Sequence, residues 1–76
     1  MLTKEEFVKA AQGNFENDNT NLWVTINGIQ ANVSYDHPET KPFENSERFD
    51  DMPLDEAMNN DTFEELYQDY LDQVEE

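Results

Sequence analysis

Carboxylates are the only side chains this chain offers in quantity for chemistry: nineteen Asp and Glu, against four Lys and Arg, one His and no Cys. Two carboxylates at a suitable separation can do acid–base work. With nineteen present some pairs fall close by chance, and nothing in the spacing singles one pair out. The one histidine, His37, precedes Pro38 in a polar stretch with no cysteine and no Ser-His-Asp context, so it reads as a solvated loop residue. Gly13 and Gly28 are too few for a phosphate-cradling loop, and each has a structural use. Calcium is the more serious possibility, because Asp50, Asp51, Asp55, Glu56 and Asp61 lie close in sequence. The EF-hand pattern fails, however, since it needs a glycine inside the loop and none follows Gly28. The expectation is a protein without catalytic residues, metal or cofactor, whose acids do their work by binding.

The elements that must position those acids are legible in part. Leu2-Thr3-Lys4-Glu5-Glu6-Phe7 is a capping box with a hydrophobic staple: Thr3 is the N-cap, Glu6 reaches back to it, and Leu2 meets Phe7. It predicts a helix over 4–12, with Phe7, Val8 and Ala11 inward and Gly13 ending it. The Asn-rich stretch from Asn14 to Asn21 reads as a loop. LWVTI-NG-IQANVSY predicts a hairpin over 21–35 with its turn at Asn27-Gly28. That turn pairs Ile26 with Ile29, Val24 with Ala31, Leu22 with Val33 and Thr20 with Tyr35, which puts nearly every apolar residue on one face. Trp23 alone breaks the pattern, standing on the polar face.

Residues 36–53 contain three prolines and no period, and are expected as an extended loop. Phe43 and Phe49 are placed to fold over Trp23, and Phe43 to Phe49 is a candidate short third strand. A helical turn over 54–58 follows Pro53. A final helix over 62–74, with Asp61 as its cap and Glu64 closing a second capping box, spaces Phe63, Leu66, Tyr67, Tyr70, Leu71 and Val74 along one side. The fold class this predicts is α+β. It is one small domain in the order α-β-β-α, its antiparallel hairpin packed against N- and C-terminal helices.

The opposite side of the last helix is almost all acid. The charge is also lopsided along the chain. Residues 1–35 set two lysines against four acids, a net of −2, while residues 36–76 set Lys41 and Arg48 against fifteen, a net of −13. A general acidity, as in a high-salt organism, would spread evenly instead. No basic residue occurs from 49 to 76, so the i,i+4 ion pairs that support an exposed helix are missing there. Acids also continue to the C-terminal end, where the helix dipole disfavours them. Such one-sided charge costs stability by self-repulsion, argues against contact with nucleic acid or anionic membrane, and speeds association with basic proteins. No apolar run is long enough for a signal peptide or a membrane span. A soluble protein is therefore expected.

Carboxylates one helical turn apart stand ~5 to 6 Å apart along the axis, comparable with phosphates that rise ~3.4 Å per step of a DNA strand. A helix edge carrying Glu65, Asp69, Asp72 and Glu76 can thus offer negative charge at a backbone-like spacing. In size, isoelectric point (≈ 4.1), lack of cysteine and one-sided acidity, the chain resembles the phage-encoded DNA mimics, the anti-CRISPR and anti-restriction proteins. The resemblance is one of general character and has no motif. It implies a non-enzymatic inhibitor, acting in the cytoplasm of an infected bacterium, that blocks the nucleic-acid-binding groove of a CRISPR effector or restriction nuclease. The phosphate surrogates would be Asp50, Asp51, Asp55, Glu56, Glu64, Glu65, Asp69, Asp72 and Glu76. Trp23 would be an aromatic anchor, with Tyr67 or Tyr70 as further candidates. The alternative is an acidic adaptor or antidote that binds a basic protein outside any nucleic-acid groove.

Overall fold

A computed structural model describes residues 1–17, 21–34 and 46–75. Helix α1 (Lys4–Ala11) begins as its sequence dictates. The Thr3 hydroxyl accepts from the Glu6 N–H, and the Glu6 carboxylate accepts from the Thr3 N–H at 2.9 Å. Phe7, Val8 and Ala11 are buried. The helix stops one residue short of Gln12, which turns extended, and Gly13 follows at φ +85°.

The chain then does something the sequence did not announce. Phe15–Asn17, expected as loop, forms a short strand, β1, paired antiparallel with Leu22–Val24 of β2 (Asn21–Ile26). The strand exists because Phe15 stands opposite Val24 on the apolar face and its ring meets Phe49 and Phe63 at 5.8 and 5.6 Å. Strand β3 (Ile29–Ser34) completes a sheet in the order β1-β2-β3. Its register with β2 is the predicted one from Ile26↔Ile29 to Leu22↔Val33, and Asn27 and Gly28 both take positive φ, as a type I′ turn requires. The expected Thr20–Tyr35 pair lies outside the described residues.

Two further expectations are corrected. Ser46–Asp51 is a helix, α2, so the extended loop over 36–53 does not hold for that stretch and the candidate third strand cannot reach Phe49. Phe43 lies outside the described residues. Phe49 does not cover Trp23, because its ring is buried on the other face of the sheet, edge-on to Phe63 at 5.7 Å. Gln12 fixes α2 to α1 by donating to the Phe49 and Met52 carbonyls at 3.0 and 2.7 Å. Helix α3 (Leu54–Met58) follows Pro53 as predicted.

Helix α4 (Asp61–Val74) is capped one residue earlier than expected. The Asn60 carboxamide oxygen accepts from the N–H groups of Thr62 and Phe63, and Asp61 is already helical. The four helices of the described residues pack on one side of the sheet or along its borders, and the core joins Phe7, Val8, Leu22, Val24, Phe49, Phe63, Leu66 and Tyr70. The order is thus α-β-β-β-α with two short helices before the last, an α+β fold. No helix among the described residues is long and apolar enough to cross a membrane.

Candidate functional site: the acidic face of the last helix

Helix α4 buries Phe63, Leu66 and Tyr70, and its opposite side carries an exposed stripe: Asp61, Glu65, Gln68, Asp72 and Glu75. Steps of four, three, four and three residues keep all five within a narrow arc of the helix. Asp61 and Glu75 belong to this stripe although neither is among the phosphate surrogates expected from sequence. Their signal was available in the alternating three–four step. Glu76 lies outside the described residues.

Beside the stripe, α4 runs antiparallel to β3 and lies along the edge that no other described strand pairs with. The Asn32 N–H donates to Asp69 Oδ2 at 2.9 Å. One turn later, Gln73 Nε2 donates to the Gln30 carbonyl at 2.7 Å and lies 3.3 Å from the same Asp69 oxygen. The match is geometric. Four helical residues rise ~6 Å and two strand residues ~6.6 Å, so side chains at i and i+4 reach alternate residues of the strand. Asp69 and Gln73 together stand in for the carbonyl and the N–H of a missing neighbour strand.

An open groove of ≈ 380 Å³ lies between this edge and the helix, lined by Asn32, Val33 and Ser34 on one side and Glu64, Glu65, Gln68, Asp69 and Asp72 on the other. The structure therefore brings Glu64, Glu65, Asp69 and Asp72 together. Asp50 and Asp51 are placed elsewhere, on α2, which packs against β1 at the opposite border of the sheet, and Asp55 and Glu56 are on α3. Asp51, Asp55 and Glu56 are exposed.

Three of the predicted surrogates have internal work. Asp50 Oδ1 accepts from the Gly13 N–H at 2.7 Å, so it ties α2 to the turn that follows α1. Glu64 pairs with Lys4 at 2.6 Å, tying α4 to α1 in place of the expected capping box. Asp69 holds the strand edge. Sequence alone gives no sign of these roles, because each partner is at least 37 residues away.

Of the aromatic candidates, Tyr70 is buried with its oxygen accepting from the Leu2 N–H at 3.2 Å, and the Tyr67 hydroxyl donates to the Leu2 carbonyl at 2.9 Å. Both are pins for the N-terminus rather than exposed anchors. Trp23 is half-buried on the face of the sheet turned away from the helices, between Glu16 and Asn32 in the register. Asn32 also lines the groove, so Trp23 stands one strand in from the groove's rim. Among the described residues no group of three or more His, Cys, Asp or Glu is placed to hold a metal ion. No protein-family model, curated protein or solved structure matches the chain.

Proposed function

We propose that this protein is a non-enzymatic acidic inhibitor that imitates the phosphate backbone of DNA and occupies the nucleic-acid-binding groove of a nuclease complex, such as a CRISPR effector or restriction enzyme, in a bacterial cytoplasm. The observation that carries the reading is the exposed stripe on α4. Asp61, Glu65, Asp72 and Glu75 lie in one line on the exposed side of α4, in a stretch from 49 to 76 that contains no lysine or arginine. Asp51, Asp55 and Glu56 are further exposed acids, on α2 and α3 and apart from the stripe. A rigid helix presents these charges without ordering cost, so a lysine- and arginine-lined channel gains Coulomb energy and counterion release as it would on DNA.

Capture of the bound protein from cells, followed by competition with duplex DNA, tests this. DNA should displace the chain, and affinity should fall steeply with salt. Replacing Asp55, Glu56, Glu65 and Asp72 with lysine, all exposed, should abolish capture without unfolding the chain. A complex that duplex DNA leaves intact would falsify the mimicry.

The groove beside β3 favours a second reading, an adaptor or antidote that binds a basic protein outside any nucleic-acid site. A sheet edge facing a carboxylate wall is a site for polypeptide, and a phosphate-like row has no need of one.

A further inference from the structure

We propose that the groove between β3 and α4 takes up an extended arginine- or lysine-bearing segment of a protein partner as a fourth strand. This rests on the reading that the partner is basic and adds how its chain is held. The site starts from the sheet edge. In an antiparallel pair, alternate residues turn their N–H and C=O groups outward, and on β3 those include Gln30 and Asn32. Their outward groups are satisfied by side chains, Asp69 on the Asn32 N–H and Gln73 on the Gln30 carbonyl. A docked strand supplies the same two groups from its own backbone, entering from the open side at Asn32 to Ser34 and displacing the two side chains as it pairs. Neither is buried, so both can exchange onto water or onto the incoming chain.

Room and charge decide the occupant. The open space beside the edge is ≈ 380 Å³, and its helical wall is Glu64, Glu65, Asp69 and Asp72 with the amide of Gln68 between them. A second copy of this chain, at net charge −15, is repelled by that wall. A strand whose alternate side chains are arginine meets it with planar donors that fit carboxylates two at a time. Strand addition then fixes the backbone, and the acidic wall selects the sequence. Asp69, displaced from Asn32, is left facing the incoming guanidinium groups.

The probe is an end-capped synthetic peptide alternating arginine with threonine. Its control is the same peptide N-methylated at alternate backbone amides, which keeps every charge and removes the ladder donors. Binding is followed by the emission of Trp23, the only tryptophan, and by amide shifts and hydrogen exchange at Gln30 to Ser34. The plain peptide should bind, shift those amides and slow exchange at Asn32. The methylated peptide should bind about tenfold more weakly, as should the plain peptide on the Glu65→Lys, Asp72→Lys double variant. Equal binding of the two peptides, or shifts confined to α2 and α3, would overturn strand addition, and so would absence of binding. The outcome separates cleanly from DNA competition. Failure here with DNA still competing removes only the fourth strand, whereas peptide binding without DNA competition removes only the mimicry.

Discussion

Two side chains show how much of this molecule's chemistry is settled atom by atom. Thr62 is fully buried in the first turn of α4, and its hydroxyl finds no hydrogen-bond partner among the described residues. An orphaned buried hydroxyl forfeits the bond it had in water, a cost of ~1 to 3 kcal/mol. Thr62→Val keeps the shape and discards the polar atom, so it should raise unfolding free energy by about 1 kcal/mol in urea titration. Asp69 is the reverse case, a polar side chain with a backbone partner. Asp69→Ala leaves the Asn32 N–H to water and should cost about 1 kcal/mol, with faster exchange at that amide. Asp69→Asn keeps an acceptor oxygen and should lose less than half as much. If Ala and Asn behave alike, Asp69 is an ordinary surface acid and the edge-holding role is wrong.

At the scale of elements, what could be read from sequence is whatever local rules determine. Helix α1 was legible because capping box, staple, stripe and Gly13 all lie within a dozen residues and agree. The hairpin was legible because turn type and period-two patterning fix one register. Strand β1 and helix α2 were not, since neither has enough residues to show a period. Each forms because it meets partners far away in sequence, β1 through its ladder to β2 and α2 through Phe49 and the side chain of Gln12. The candidate site divides the same way. Exposure of the α4 stripe follows from periodicity, while the duties of Asp50, Glu64 and Asp69 depend on tertiary neighbours. It follows that Phe49→Ala should be far more damaging than a loop residue would be. Removing a buried ring costs ~3 to 5 kcal/mol, against a total of roughly 4 to 11 kcal/mol for a domain of this size. Its thermal transition should drop sharply or vanish by circular dichroism.

The capping box of α1 carries an acid dependence of known sign. The Glu6 carboxyl is held below the ordinary glutamate range, chiefly because it accepts from the Thr3 N–H. A depressed pKa means the contribution is present in full above the ordinary value and is lost as pH falls through the lowered one. First-turn amides of α1 should therefore stay protected at neutral pH and open only in acid. Glu6→Gln should remove that dependence, and an acid response unchanged by it would assign the effect elsewhere.

At the scale of the whole molecule the net charge of −15 acts on fold and on binding with opposite signs. The chain spans only 30 × 25 × 19 Å, so at low ionic strength, where the screening length is ~30 Å, every carboxylate feels nearly every other. Two ion pairs, Lys4–Glu64 and Lys9–Glu5, offset a small part of this. Raising salt to ~0.15 M shortens the screening length to ~8 Å, less than the smallest dimension of the molecule. Self-repulsion is then largely cut, and the folded state gains. The same screening weakens attraction to a basic partner and reduces counterion release. Sodium chloride should accordingly raise the melting temperature of the free protein while it lowers affinity for the captured partner. Lysine at Glu65 and Asp72 should reproduce both effects at low salt, stabilising the chain while weakening the complex. A function lodged in uncharged surface would break the pairing, because salt would then move the melting temperature and leave the affinity where it was. The two slopes, measured on one preparation, thus decide whether the destabilising acid is the part of the molecule that binds.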